Sequence, residues 1–116
     1  MKCEPLADER RFTYRGRIKV SSTDLALAKS GKKICTIRRG TAAVIGSAID
    51  LTDNRQALRV KILSVQTRPY GELTHEHAEW EGFSTLEELK KDLATYYRDI
   101  DDLDPVTIIK FERAES

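Results

Sequence analysis

Glycine and proline punctuate this chain so closely that its apolar runs are strand-sized and its helices must be short. Gly16, Gly31, Gly40, Gly46, Pro69, Gly71 and Pro105 fall inside or at the ends of apolar stretches, where they bend strands, stop helices or open turns. Between them, Arg11 to Val20 alternates loosely, with Phe12, Tyr14, Ile18 and Val20 of one parity, and predicts a strand bent at Gly16. Ser22 or Thr23 can cap a helix over Asp24 to Ser30, stopped by Gly31 in the left-handed position. Ile34 to Arg39 is a β-branched, alternating strand ending at Gly40. Ala42 to Ile45 is apolar and ambiguous, Ala48 to Leu51 is a strand, and Leu58 to Thr67 is the longest strand. Thr74 caps a helix running to Glu81 or Gly82, and Ser84 with Glu87 forms a capping box for a second helix, with Leu86, Leu89, Leu93 and Tyr96 or Tyr97 as its buried stripe. After the acidic loop Asp99 to Asp104, Pro105 opens a last strand, Val106 to Phe111. This order predicts an α+β fold, a small mixed β-barrel or curved sheet with short flanking helices. The strands are too many and too short for a doubly wound sheet.

A length of 116 residues fits one domain over 1–116, with residues 1–9 expected as a flexible arm. Apolar residues make up 40% and charged residues 34%, which excludes a disordered tail and a membrane protein. No segment nears the roughly 18 apolar residues of a membrane span, and the first residues lack the apolar run of a secretory signal, so a cytoplasmic location is expected. Cys3 and Cys35 cannot build a disulfide framework or, alone, a zinc site. The net charge of +1 hides a polarity: residues 1–40 hold 11 Lys/Arg against 4 Asp/Glu, and residues 71–116 hold 5 against 13. Such a split suits a basic face for phosphate or RNA, and equally suits two halves that neutralise each other across the fold.

Two segments can carry chemistry. In Gly31-Lys32-Lys33-Ile34-Cys35-Thr36-Ile37-Arg38 a helix stop runs straight into a strand. Thr36 and Arg38 share one face, and Lys33 joins them only if it sits in the turn before the strand begins. The same residues also suit a plain surface strand. In Thr74-His75-Glu76-His77-Ala78-Glu79-Trp80-Glu81-Gly82-Phe83, His77 with Glu81 and His75 with Glu79 lie one helical turn apart. Either pair offers two metal ligands. A closed site needs more, and the chain has no other histidine, so no metal and no cofactor are expected.

The pattern Gly31-x-Lys33-x-x-Thr36-x-Arg38, the strand starting at Gly46, and Leu73-Thr74-x-x-His77-Ala78-Glu79-x-Glu81-Gly82-Phe83 followed by Leu86-x-Glu88-Leu89-Lys90 resemble the ASCH domain of the PUA-like superfamily. The resemblance covers residues from about 22 to 111. Within the family the likeness is greatest to small bacterial N4-acetylcytidine amidohydrolases. The resemblance implies cleavage of the N4-acyl amide of acylated cytosines or cytidines by a catalytic Lys33, Thr36 and Glu81. A modified nucleoside or nucleobase is then the partner; separately from the resemblance, a monomer and no membrane are expected. Other family members suggest an alternative, an RNA-binding module or ribonuclease using the basic N-terminal half.

Amide hydrolysis needs a nucleophile, a base, oxyanion stabilisation and an acid for the leaving amine. The preferred route makes Thr36 the nucleophile, Lys33 its base and Glu81 the acid, through an acyl-threonine intermediate that water then attacks. The other makes Glu81 the base for a water, with Thr36 and Lys33 binding the oxyanion. The first requires a neutral lysine. Arg38, His77, Tyr70, Trp80 and Phe83, with Tyr14, are the residues expected to bind the substrate, the aromatic ones as a wall for the base.

Overall fold

The computed structural model describes residues 11–114; the expected arm at 1–9 lies outside them. Five strands, β1 (Arg11–Lys19), β2 (Cys35–Arg39), β3 (Thr41–Thr52), β4 (Ala57–Pro69) and β5 (Pro105–Arg113), join three helices, α1 (Ser22–Lys29), α2 (His75–Trp80) and α3 (Leu86–Tyr96). They form one sheet in the order β1-β3-β4-β5-β2, curled into a half-barrel. Only β1 and β3 run parallel; the other neighbours are antiparallel. This is the α+β architecture expected from the element order.

The stretch read as ambiguous is continuous strand. Ala42 to Ile45 and Ala48 to Leu51 join through Gly46, which sits at φ 101°. Opposite it, Gly16 at φ 78° marks the place where the β1–β3 pairing jumps from Arg15↔Ile45 to Arg17↔Asp50. Two left-handed residues facing each other let both strands bend, and the sheet curls there. The capping residues also differ by one place from the sequence reading. Ser21 caps α1 by accepting from Asp24 N at 3.0 Å, because Ser22 is engaged with Asp53 at 2.8 Å. Thr85 and Glu88 cap α3 reciprocally, while the amide of Ser84 donates to Glu88 at 3.0 Å.

The sheet is covered on both faces, which explains why β5 carries apolar residues of both parities. Val106 and Ile108 pack with Ile37, Leu73, Ala78, Leu89 and Leu93 under α2 and α3. Ile109 and Phe111, of the other parity, pack with Ile18, Leu25, Ile49 and Val60 under α1. Thr107 lies between them, fully buried, and its hydroxyl is a junction. It donates to Gly40 O (2.7 Å) and accepts from Ala42 N (2.9 Å), so Thr67 must be the donor across their 3.0 Å contact. Among the described residues no helix is long and apolar enough to cross a membrane.

Candidate active site

The turn after α1 decides where Lys33 goes. The amides of Lys32 and Lys33 both donate to Leu27 O (3.0 and 3.2 Å), and Ile34 N donates to Trp80 O at 2.7 Å, tying the turn to the end of α2. Lys33 is therefore outside the strand repeat, as convergence with Thr36 requires. Gly82 makes the close approach possible: at φ 93°, a Cβ there would lie 3.2 Å from Lys32 O.

Glu81 is the residue after α2, and its side chain turns onto the edge strand β2. Oε1 receives Lys33 Nζ, and Oε2 accepts from Ile37 N at 2.8 Å. Both members of the ion pair are buried, Lys33 3% and Glu81 7% exposed. Burial opposes the charge on Lys33, but the Glu81 carboxylate, with Asp24 beyond it, outweighs burial and carries its pKa above the usual lysine value. Burial raises the Glu81 pKa, and the Lys33 ammonium pulls it back only in part. Lys33 is thus a held cation, the opposite of what a lysine base needs, and Glu81 is the more basic carboxylate. Cys35 stays a thiol, its pKa pushed well up by burial and then by Glu81.

Beside the ion pair, Thr36 Oγ accepts from Arg38 Nε at 3.2 Å, and Arg38 Nη2 donates to Lys19 O at 2.7 Å. Because Arg38 occupies a lone pair of Thr36, the hydroxyl proton is free to be donated. Lys33, Thr36, Ile37, Arg38 and Glu81 line a cavity of about 250 Å³ between α1 and α3. The sequence-predicted Lys33, Thr36, Glu81 and Arg38 are therefore brought together.

The other expected contacts lie elsewhere, and packing explains each. His77 Nδ1 accepts from Thr74 N at 3.0 Å to cap α2, and its ring meets Trp80 edge-on at 5.3 Å. Burial, then Arg68, lowers its pKa. His77 and Glu81 do not pair, since Glu81 turns to Lys33; the exposed His75–Glu79 pair does form, at 3.3 Å. Tyr70 is buried and donates to Lys90 O at 3.2 Å. Trp80 and Phe83 pack against the core under α2 and α3, with Lys110 Nζ 4.1 Å from the Trp80 ring centre. Tyr14 approaches Arg38 at 6.0 Å without lining the cavity.

The aromatic side of the cavity is instead Tyr96 and Tyr97, joined by Asp24, Asp92 and Leu93. Burial, then Asp24, raises the pKa of Asp92. The spacing of Asp92 and Tyr96, four apart on one helix, was the available signal. Among the described residues no three His, Cys, Asp or Glu side chains gather as a metal ion would require.

The sequence matches no protein-family model and no curated protein. Solved structures do resemble the fold. An ASCH domain from Lactobacillus crispatus JV V101 superposes with TM-score 0.66 at 12% identity, over 89% of this chain and 79% of that one. The hypothetical protein PH0355 gives 0.63 at 17% identity, over 90% and 99%. Protein EF3133 from Enterococcus faecalis V583 gives 0.56 at 20% identity, over 77% and 68%. The chain has an ASCH-like, PUA-like fold. At such identities the likeness carries the fold alone.

Proposed function

We propose that this protein is a metal-independent amidohydrolase that cleaves the N4-acyl amide of N4-acetylcytidine or related acylated cytosines, giving the free amine and a carboxylate. The observation that carries this reading is the buried Lys33–Glu81 pair opening on a cavity that also holds Thr36 and Arg38. Its volume, about 250 Å³, lies just under the roughly 300 Å³ at which ordinary ligand pockets begin. That suits a pyrimidine ring with a short acyl group, and Tyr96 and Tyr97 offer ring faces for the base.

The ion pair supports the route in which Glu81 is the base. A water oxygen attacks the acyl carbon as its proton passes to Glu81. Lys33 and the Thr36 hydroxyl donate to the developing oxyanion. The C–N bond then breaks, and Glu81 returns the proton to N4, leaving it neutral. Incubation with N4-acetylcytidine tests the reading: cytidine and acetate in equal amounts are expected, and no release by pure, folded protein refutes it.

A second reading has one observation in its favour. Arg11, Arg15, Arg17 and Lys19 are exposed along edge strand β1, a basic row suited to an RNA backbone. It predicts RNA binding that weakens steeply with salt and persists in Thr36→Ala.

A further inference from the structure

The cavity holds three cations, Lys19, Lys33 and Arg38, and three carboxylates, Asp24, Glu81 and Asp92. Its charge sums to zero but is unevenly spread. Lys33 and Glu81 satisfy each other. The two aspartates belong to the Lys33 end: Asp24 acts on Lys33, and the charges acting on Asp92 are Asp24 and Lys33. Arg38 is bonded to none of the three carboxylates. Its Nε is spent on Thr36 and one Nη2 proton on the Lys19 carbonyl, and it forms no ion pair among the described residues. Tyr14 is also hydrogen-bonded to Arg38 and lies against it, so at most two of the five N–H donors of a guanidinium are left. Arg39, the next residue on the strand, shows the contrast: it is held between Asp99 at 2.6 Å and Asp104 at 2.9 Å.

A half-buried guanidinium that faces a cavity with no carboxylate bonded to it is a ready partner for an anion. We infer that Arg38, with Lys19 beside it, forms an anion subsite that takes a carboxylate or phosphate group attached to the substrate. The inference deepens the amidohydrolase reading and rests on it for the rest of the substrate. Two sources supply such a group, a terminal carboxylate on a dicarboxylic acyl chain or the 5′-phosphate of a nucleotide. Either way the aspartates repel the anion while Arg38 attracts it, so the amide enters in a single orientation.

Two measurements test this. First, inorganic phosphate and acetate are titrated separately into nitrogen-15-labelled protein while the Arg38 Nε resonance is followed. Saturable movement with at least one ion, weakened by added sodium chloride, is expected. Second, kcat/KM is compared for N4-acetylcytidine, its 5′-monophosphate and N4-succinylcytidine. At least one anionic substrate should exceed the neutral one by about tenfold or more, the contribution of one charge-assisted hydrogen bond, and which one does identifies the source. That ratio should fall in Lys19→Gln, collapse towards one in Arg38→Gln and survive in part in Arg38→Lys. The ratio is the readout because Arg38 also touches Thr36, so its loss slows every substrate. An Arg38 Nε resonance unmoved by both ions, or ratios near one for both anionic substrates, overturns the subsite. Saturable anion binding with hydrolysis of none of the three overturns the amidohydrolase reading and leaves the subsite standing.

Discussion

Replacing Lys33 with methionine isolates the buried ion pair. The side chain keeps its length and loses its charge, so the Glu81 carboxylate, 7% exposed, is left with Ile37 N as its hydrogen-bond donor. Breaking a buried pair from one side costs about 3–5 kcal/mol, against a total stability of about 5–15 kcal/mol for a domain of this kind. The variant should fold but be measurably weakened. Its loss should also depend on pH. Glu81 retains the burial that raises its pKa and loses the ammonium that lowers it, so its folded pKa climbs further above the unfolded value. A carboxyl with a raised folded pKa stabilises fully below the unfolded pKa, and that stabilisation disappears as pH rises through the folded one. Lys33→Met should therefore be close to wild type near pH 4.5 and lose up to about 1.4 kcal/mol per pH unit above it. The double variant Lys33→Met with Glu81→Gln removes both charges and keeps an acceptor for Ile37 N. It should regain most of the loss at pH 8. Urea unfolding at pH 4.5, 6 and 8 measures all of this. A Lys33→Met penalty that is the same at every pH, or below about 1 kcal/mol at pH 8, would show that the pair is not held as buried charges.

Four further outcomes follow. Thr36→Ala should lower kcat on N4-acetylcytidine by about 100- to 1,000-fold, the loss typical of one oxyanion donor, with Thr36→Ser retaining more; wild-type turnover by a folded Thr36→Ala would remove Thr36 from the mechanism. The raised pKa of Glu81 places the acid limb of the kcat/KM profile above the ordinary glutamate value, activity rising as Glu81 ionises; a limb at or below that value contradicts Glu81 as base. Turnover should survive EDTA, and loss on chelation with recovery on adding zinc would point to metal ligands instead. Thr107→Val preserves shape but strips partners from Ala42 N and Gly40 O, so urea unfolding should show a loss of about 2–4 kcal/mol.

The strand-first half of the site was legible because its geometry is local. A left-handed glycine, a turn and a two-residue repeat are enough to put Lys33 beside Thr36 and Arg38. Glu81 is a different matter. It reaches Lys33 across 48 residues of chain, and only the resemblance to a known family linked the two segments. The aromatic rings expected at the site do not line the cavity, for a thermodynamic reason. Tyr70, Trp80 and Phe83 are large rings next to helix ends, and such rings are drawn towards the core: Tyr70 is buried in it, and Trp80 and Phe83 pack against it, partly buried. Tyr97, by contrast, leaves the helix at φ −127° and ψ 79°, a backbone change that helical periodicity cannot register. Thr107 sits inside an apolar run and reads as strand filler; its three hydrogen bonds belong to β3, β4 and the Gly40 turn, which meet only in the folded sheet.

The short strand β2 is a sheet edge, and an open edge offers unpaired amides to any neighbouring chain. Here Ile37 N is taken by Glu81 and Ile34 N by the last carbonyl of α2. The proposed catalytic carboxylate is thus also a guard against strand-to-strand association. Mutational drift at position 81 meets two constraints at once: a nonpolar replacement loses the proton acceptor and leaves the buried Ile37 amide without its partner. Inactive Glu81→Leu protein should accordingly unfold at a lower urea concentration than equally inactive Glu81→Gln, which keeps an acceptor for Ile37 N.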